Sequence, residues 1–196
     1  MIDRMQNIKG VIFDLDGTLV ESRLDFALLK SLVGCPAGLD ILGHIDSISD
    51  AEARKNAMHI VQTHELQDAE SAAWLPGAEN FVQHLLSRNL PMAIVTRNFS
   101  EAAQIKVTRN NIPISLIICR EDAPPKPDPT ALQMIARRWQ LPANRIVYIG
   151  DFLYDIQAAK RADMLACLYA PDSLPPYADQ ADFVCQHFDD LVSALG

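Results

Sequence analysis

The chain has 196 residues, of which 49% are apolar and 21% charged, which is the balance of a soluble globular protein with one core and at most a modest insertion. Its formal net charge of -8 argues against general binding to nucleic acid or to an anionic membrane. No apolar stretch approaches the roughly 20 residues of a membrane span, and the N-terminus MIDRMQNIKG has no signal-peptide core.

The cysteines are widely spaced along the chain and form no Cys-x-x-Cys pair; they are Cys35, Cys119, Cys167 and Cys185. This pattern predicts neither a disulfide framework nor a zinc site. We therefore expect a reduced, cytoplasmic compartment. The acidic net charge favours a small molecule rather than a nucleic acid or a membrane as the partner. The sequence gives no indication of the oligomeric state.

Short apolar runs alternate with helical patterns along most of the chain. The runs are nearly continuous in apolar residues, as strands buried on both faces are. They cover residues 10–14, 91–96, 114–119, 145–150 and 164–169. Amphipathic helices are predicted over 79–88 and 130–139, the second with Asp128 as N-cap and Pro129 at its first position. Strands that alternate with single helices predict an α/β fold with a doubly wound parallel sheet.

One segment breaks this alternation. Residues 21–74 contain helical patterns and no good strand, with GCPAG and SISD as breaks. We interpret this segment as a helical insertion into a core formed by residues 1–20 and 75–196. The sequence LPGA at 75–78 returns the chain to that core.

Polar side chains follow the predicted strands at the points where they end. They are Asp14, Asp16, Gly17 and Thr18 after the first strand, Thr96, Arg97 and Asn98 after the second, and Gly150, Asp151 and Asp155 after the fourth. Lys126 lies in the connection APPKPDP that precedes the fourth strand. Because the carboxyl ends of parallel strands meet at one edge of the sheet, we expect these groups to share one crevice.

Several carboxylates in one crevice repel one another and need a cation. A hard divalent ion with oxygen ligands is the usual solution, and Mg²⁺ is the usual choice. Such a site suits phosphoryl transfer, because the metal and Lys126 would remove the repulsion between an anionic ester and an attacking carboxylate. Asp14 can then attack phosphorus, and Asp16, two residues further on, can exchange protons with the leaving oxygen and with water.

These motifs together resemble the haloacid dehalogenase superfamily, in the branch similar to phosphoglycolate phosphatase. The resemblance rests on DLDGTLV (14–20), Thr96, KPDP with Lys126, and GDFLYD (150–155), in that order. It implies that Asp14 is the nucleophile and Asp16 the acid and base, and that Thr96 and Lys126 hold phosphate. It also implies a Mg²⁺ site formed by Asp14, the backbone carbonyl of Asp16, and Asp151, with Asp155 orienting or supplementing it.

By the same resemblance, residues 21–74 are a helical cap that closes over the substrate, although this cap is short for the branch. Another departure is Asp163, where relatives commonly have glycine, which concerns the end of a helix rather than the chemistry. Residues of the cap that could read a second anionic group are Arg23, Lys30, His44, Arg54 and Lys55. A solvated cap surface explains them equally well.

Simpler structural roles are open for several of these residues. Thr96 could be an ordinary strand residue and Lys126 a solvated loop lysine. Asp151 and Asp155 could serve only to stabilise a helix N-terminus. Arg97 is a candidate for phosphate binding, with a role in a surface loop as the alternative.

Three functions remain open at this point. The first is a Mg²⁺-dependent phosphatase that hydrolyses a small-molecule phosphate monoester through an aspartyl-phosphate intermediate. The second is a phosphotransferase or mutase of the same superfamily, which would need a cap that excludes water. The third is a non-catalytic binding protein that keeps the fold, against which the complete set of clustered charges argues.

Overall fold

A six-stranded parallel sheet forms the centre of the computed structural model, which describes residues 5–195. Its strands are β1 (Gly10–Phe13), β2 (Met92–Val95), β3 (Leu116–Ile118), β4 (Ile146–Gly150), β5 (Leu165–Tyr169) and β6 (Phe183–Cys185). They are ordered β3-β2-β1-β4-β5-β6, and every neighbouring pair is parallel. The predicted α/β fold with a doubly wound sheet is confirmed.

Helices cover both faces of the sheet and also follow β1. Their bounds are α1 (Phe26–Val33), α2 (Ile41–Ser47), α3 (Ala51–Ala69), α4 (Ala78–Ser87), α5 (Ser100–Arg109), α6 (Thr130–Trp139), α7 (Leu153–Arg161) and α8 (Phe188–Leu195). Short 3₁₀ turns occur at Ala143–Arg145 and Ala178–Gln180. Within residues 5–195, none of the helices combines the length and the apolar character that crossing a membrane would require.

Strand β1 shows how the sheet separates two apolar layers. Val11 and Phe13 point to one face, where they join a cluster with residues of α4, α5 and α8, whereas Ile12 joins a second cluster with residues of α6 and α7. This alternation is the period of two that a strand imposes on its side chains. Because both faces are covered, the carboxyl edge of the sheet is where polar groups of neighbouring strands can meet a ligand.

Helices α1, α2 and α3 lie in the segment predicted as a cap and have an apolar cluster of their own around Leu29, Ile45 and Val61. The two ends of the segment meet beside the sheet, where Val20 and Trp74 form an antiparallel bridge. The division into a cap of residues 21–74 and a core of 1–20 and 75–196 stays a prediction. Residues 1–4 and 196 of that core lie outside the described part.

The structure differs from the sequence predictions at an edge strand and at the start of a helix, and strand β3 is shorter than its predicted run. Strand β6 was not predicted, because it has only three residues and its middle residue, Val184, is exposed. Helix α6 begins at Thr130, with Pro129 in the N-cap position that was predicted for Asp128. The Asp128 carboxylate nevertheless accepts a hydrogen bond from the Thr130 amide at 2.9 Å, so it still satisfies a backbone donor of the first turn.

Candidate active site

Strands β2, β1 and β4 are neighbours, so the polar residues that follow them meet at one edge of the sheet. The Asp14 amide donates to the Ile149 carbonyl at 2.8 Å, and the Thr96 amide donates to the Ile118 carbonyl at 3.0 Å. These bonds continue the ladder one residue past each strand and fix the backbone from which both side chains project. The convergence expected from the sequence is therefore present.

Asp14, Asp151 and Asp155 form an acidic cluster in which one ligand atom of each residue lies within 4.8 Å of the others. Burial raises the pKa of Asp14 well above its ordinary value, and the neighbouring Asp155 and Asp151 add to this effect against the opposing charge of Lys126. Burial, together with the charge of Asp155, also raises the pKa of Asp151 to about 6. Carboxylate oxygens gathered in this way are the donors that Mg²⁺ takes in proteins.

Lys126 is buried inside this acidic cluster. Its ammonium group lies 2.8 Å from Asp14 Oδ2 and 2.7 Å from Asp155 Oδ1. Burial alone would lower the pKa of Lys126, but the charges of Asp14 and Asp155 hold it above its ordinary value. The alternative of a solvated loop lysine does not describe this side chain, which is only 4% exposed.

Asp155 joins the start of α7 to the acidic cluster. Its Oδ2 accepts a hydrogen bond from the Phe152 amide at 2.9 Å, and its Oδ1 accepts from Lys126 and from the Tyr148 hydroxyl at 3.0 Å. Both oxygens are thus engaged by protein donors. Asp155 caps a helix, as the simpler interpretation held, and it also orients Lys126.

Two glycines allow the backbone to approach the carboxylates. Gly17 has a φ of 72°, and a Cβ there would lie 2.5 Å from Asp151 Oδ2. A Cβ on Gly150 would overlap the Asp155 carboxyl group. Any larger residue at either position would displace a carboxylate from the acidic cluster.

Asp16 lies beside the acidic cluster, and both of its carboxylate oxygens are held. Its Oδ1 accepts a hydrogen bond from Lys106 at 2.5 Å, and its Oδ2 accepts from Asn98 Nδ2. Lys106 also donates to Asp68 Oδ2 at 2.8 Å. Lys106 and Asp68 were not among the residues predicted from the sequence. The available signal was a lysine on the otherwise apolar face of α5, beside Ala102, Ala103 and Val107.

Thr96 and Arg97 follow β2 but have different surroundings. The Thr96 hydroxyl oxygen accepts hydrogen bonds from the backbone amide and Nδ2 of Asn98, both at 3.1 Å. Arg97 Nη2 lies 2.5 Å from Asp40 Oδ1, and its guanidinium lies over the Tyr154 ring at 5.4 Å from the centroid. Phosphate binding by Arg97 stays a prediction, because the structure pairs this side chain with the segment that contains α2.

A cavity of about 560 Å³ opens above these residues, a volume typical of small-molecule sites. Every predicted site residue contributes to its wall: Asp14, Asp16, Thr96, Arg97, Lys126, Asp151 and Asp155. The opposite wall comes from the segment after β1 and includes Leu24, Phe26, Leu29, Leu39 and Leu42. The sheet edge therefore supplies mainly charged groups, and the inserted segment supplies mainly apolar ones together with Ser22, Lys30, Asp40 and Glu65.

Comparison with known proteins identifies the family. The haloacid dehalogenase-like hydrolase model matches residues 8–163, which include all the candidate site residues. The chain belongs to this family. It is 32% identical over 194 residues to a haloacid dehalogenase-like hydrolase domain-containing protein of Arabidopsis thaliana, a match that covers 90% of this chain and 79% of that protein.

Other members of the haloacid dehalogenase family agree with the branch expected from the motifs. The chain is 28% identical over 224 residues to phosphoglycolate phosphatase of Yersinia pestis, covering 98% of this chain and 95% of that protein. Its structure is similar to that of a hydrolase from Pseudomonas syringae, with a TM-score of 0.78, 24% identity, and coverage of 95% and 97% of the two chains. The resemblance drawn from the motifs is confirmed, and the expected enzyme class, a phosphatase, agrees with these relatives.

Proposed function

We propose that this hydrolase is a Mg²⁺-dependent phosphatase that acts on a small-molecule phosphate monoester through an aspartyl-phosphate on Asp14. The observation that carries the proposal is the meeting of Asp14, Asp16 and Asp151, at the ends of neighbouring strands, with Lys126 from a connecting loop under one cavity. The phosphatases among the relatives support the same reaction class.

Asp14, Asp151 and Asp155 fit Mg²⁺ by the chemistry of their side chains. Their ligand atoms lie within 4.8 Å of one another, and the raised pKa values of Asp14 and Asp151 reflect burial and a repulsion that a cation would relieve. The backbone carbonyl of Asp16 is the further ligand that the family resemblance implies. When bound, Mg²⁺ would offset the negative charge that Asp14 and a phosphate ester bring together.

The first step forms a bond between a carboxylate oxygen of Asp14 and phosphorus while the bond from phosphorus to the ester oxygen breaks. The ester oxygen takes that electron pair and a proton from Asp16, and the alcohol leaves. Lys126 would bind phosphate oxygens from its position 2.8 Å from Asp14 Oδ2. Thr96 accepts its two hydrogen bonds from Asn98, so its own hydroxyl proton can be donated to phosphate.

The second step uses the same residues in reverse. Asp16, now a carboxylate, takes a proton from water while the water oxygen forms a bond to phosphorus. The bond between phosphorus and Asp14 breaks, which releases inorganic phosphate and restores the Asp14 carboxylate. A carboxylate that accepts a proton in one step and gives it in the other must keep one orientation relative to Asp14 in both.

The cavity wall supports a leaving group with apolar surface rather than a second anionic group. Of the five cap residues considered for such a group, Lys30 alone lines the cavity. The other residues that the cap contributes to the wall are mainly apolar, and the charged ones, Asp40 and Glu65, are acidic. Arg97 also lines it, but its charge is already paired with Asp40. An ester with an apolar leaving group would bury apolar surface in this cavity without needing an ion pair with Lys30 or Arg97.

Hydrolysis is favoured over phosphoryl transfer to a second hydroxyl, because solvent can reach the cavity. Phe26 and Leu39 lie in its wall and are 58% and 53% exposed. A mutase must protect its phosphorylated intermediate from water, which a wall of this kind does not do. The structure therefore favours water over a second hydroxyl as the phosphoryl acceptor.

The reaction is tested with p-nitrophenyl phosphate and two matched variants. Asp14→Asn should abolish turnover, because an amide cannot form the intermediate. Asp25→Asn is the control, since Asp25 caps α1 through the Leu28 amide and does not contribute to the cavity wall. Phosphorylation of the Asp14→Asn protein, measured by mass spectrometry after quenching, would contradict the assignment.

The leaving-group preference is tested with alkyl phosphates of similar leaving-group basicity. We expect kcat/KM for hexyl phosphate to exceed that for glycerol 3-phosphate by at least about tenfold, on the scale of a few buried methylene groups. Leu42→Asn should reduce this ratio without changing turnover of methyl phosphate. A preference for phosphoglycolate over hexyl phosphate would overturn the apolar leaving group but not the phosphatase reaction.

A further inference from the structure

Lys106 is a fully buried cation that the reaction above does not use. Its side chain has no exposed surface and contacts two carboxylates, Asp16 at 2.5 Å and Asp68 at 2.8 Å. A buried lysine is costly unless it is paired. A leucine or methionine on this face of α5 would extend the apolar surface of Ala102, Ala103 and Val107 without that cost. Packing alone therefore does not explain a lysine at this position.

Asp68 is also placed against the usual preferences of a helix. It lies in the last turn of α3 and is buried, although the helix dipole disfavours an acid at that end. Its carboxylate accepts from the Arg23 amide at 2.6 Å and from the Ser22 hydroxyl at 3.0 Å, in addition to Lys106. Asp68 thus joins the chain that leaves β1 to the helix that returns toward the core.

These contacts form one connected path. Asp68 accepts hydrogen bonds from Ser22 and Arg23. Lys106 donates to both Asp68 and Asp16, and Asn98 donates to the other oxygen of Asp16. Rotation about either side-chain bond of Asp16 would break both of its hydrogen bonds. The position of this carboxylate is therefore set by α5 and by both ends of the inserted segment.

We propose that Lys106 and Asp68 are positioning residues for Asp16, an inference that rests on the proposed function because it takes Asp16 as the acid and base. Lys106 fixes the direction in which the Asp16 carboxyl group presents its proton to the leaving oxygen. It also places a positive charge beside the carboxylate that remains after the proton is given. Asp68 holds Lys106 in place and does not contact the substrate.

The test compares two esters that differ in their need for an acid. An alkyl phosphate has a strongly basic leaving oxygen that requires a proton, whereas p-nitrophenolate is a weak base that can leave unaided. The alkyl ester is measured by turnover, and p-nitrophenyl phosphate by the initial burst of p-nitrophenol, which reports phosphorylation of Asp14. Asp16→Ala should abolish turnover of the first ester and keep the burst on the second.

Lys106→Met removes the charge with little change in length. We expect turnover of the alkyl ester to fall by about 100-fold, at the low end of what acid catalysis contributes, while the burst rate stays within about threefold. Lys106→Arg should recover part of the alkyl activity, and Asp68→Asn should cause a smaller loss with the same selectivity. Arg109→Met, on the exposed face of the same helix, is the control and should match the parent.

The combined variant separates positioning from a purely structural role. In the Asp16→Ala background, Lys106→Met should leave the burst rate unchanged, because its effect is transmitted through Asp16. Equal loss on both esters, or no loss on either, would overturn the inference. If Lys106→Met does not fold, Asp68→Asn alone decides the question, by its loss of turnover on the alkyl ester relative to its loss of burst rate on p-nitrophenyl phosphate. If Asp16→Ala reduces turnover of the alkyl ester and the burst on p-nitrophenyl phosphate equally, the proposed function fails, and the inference fails with it.

Discussion

Arg97 is joined to Asp40 by an ion pair of 2.5 Å, which connects the loop after β2 to the N-cap of α2. Asp40 has a second role, since its other oxygen accepts from the Gly43 amide at 2.9 Å. Asp40→Asn should keep that cap, because asparagine caps helices well, and should free the Arg97 charge. We expect KM for esters with a second anionic group to fall by about three- to tenfold, with KM for p-nitrophenyl phosphate unchanged.

The matched control for Asp40 is Asp50→Asn. Asp50 caps α3 through the Ala53 amide at 2.6 Å, at a helix start that contributes no residue to the cavity wall. Asp50→Asn should leave KM for both classes of ester unchanged.

Because the ion pair between Asp40 and Arg97 is partly exposed, Asp40→Asn should change the free energy of unfolding by less than about 1 kcal/mol. A uniform rise in KM for every ester would show that Asp40 instead shapes the cavity.

Binding of Mg²⁺ should depend on pH through Asp151. In the metal-free protein the pKa of this carboxyl group is raised from 3.8 to about 6. Between these values the folded chain keeps a proton that the unfolded chain has lost, so this group makes folding less favourable as the pH rises through that window. Below about pH 6 the metal must displace the proton, and its affinity should fall by up to tenfold for each further pH unit.

The measurement is the increase in Tm that Mg²⁺ produces, which we expect to be larger near pH 7.5 than near pH 5. Asp151→Asn should remove the increase at both pH values and raise the Tm of the metal-free protein near pH 7.5, since it removes a repelled charge. EDTA should abolish turnover of p-nitrophenyl phosphate, and added Mg²⁺ should restore it. An equal increase in Tm at both pH values would contradict the role of Asp151.

Arg120 and Glu65 form a buried ion pair of 2.6 Å between the loop after β3 and α3. Burial raises the pKa of Glu65 despite the neighbouring Arg120, and Glu65 Oε2 and Arg120 Nη2 find no hydrogen-bond partner among residues 5–195. Such a pair contributes little net stability but is costly to break. Arg120→Met alone should therefore cost about 3–5 kcal/mol of unfolding free energy.

The double variant Glu65→Leu with Arg120→Met should cost far less than the sum of the single changes. Removing both charges leaves no unpaired ion in the interior, and the apolar side chains fill a similar volume. Urea unfolding of the two single variants and the double variant gives the coupling energy. If the losses simply add, the two side chains do not act as a pair.

Asp163 takes a left-handed conformation, with φ of 58°, just after the end of α7. Glycine adopts this conformation without strain. The relieved strain of about 1–2 kcal/mol is partly offset by the extra chain entropy that glycine loses, so Asp163→Gly should raise the free energy of unfolding by about 0.5–1 kcal/mol. For a chain of this size that corresponds to a Tm higher by about 1–4 °C. Asp163→Ala is the comparison and should lower the Tm, because alanine has the strain without a polar side chain to form local hydrogen bonds.

The buried strands were predictable because burial on both faces leaves a simple signal. Strands β1, β2, β4 and β5 lie within one residue of the predicted runs, since nearly every position of each is apolar. Strand β3 is shorter than its run by two residues at the start, where Ile114 packs in the core without joining the ladder. The edge strand β6 carries no such signal, because one of its three side chains faces solvent.

The meeting of the candidate site residues was predictable for a related reason. Parallel strands bring their carboxyl ends together, so the order of the motifs was enough to place Asp14, Thr96 and Asp151 side by side. The partners of Asp16 and Arg97 were not predictable, because Lys106 and Asp40 reach them across long distances in sequence. A lysine is ordinarily assigned to the surface, and no local pattern indicates which carboxylate it will meet.

The bridge between Val20 and Trp74 lets the inserted segment leave and re-enter the sheet at one point. Two further backbone hydrogen bonds join the two ends of the segment at this bridge. The Glu21 amide donates to the Ala73 carbonyl at 2.8 Å, and the Leu75 amide donates to the Leu19 carbonyl at 2.9 Å. A segment anchored in this way can be lengthened, shortened or exchanged without moving the strands that flank it. Mutation and recombination can therefore change this stretch while Asp14 stays in place. Grafting the corresponding segment of another family member between Val20 and Trp74 should leave the core folded, and under the proposed function it should change the preference among leaving groups.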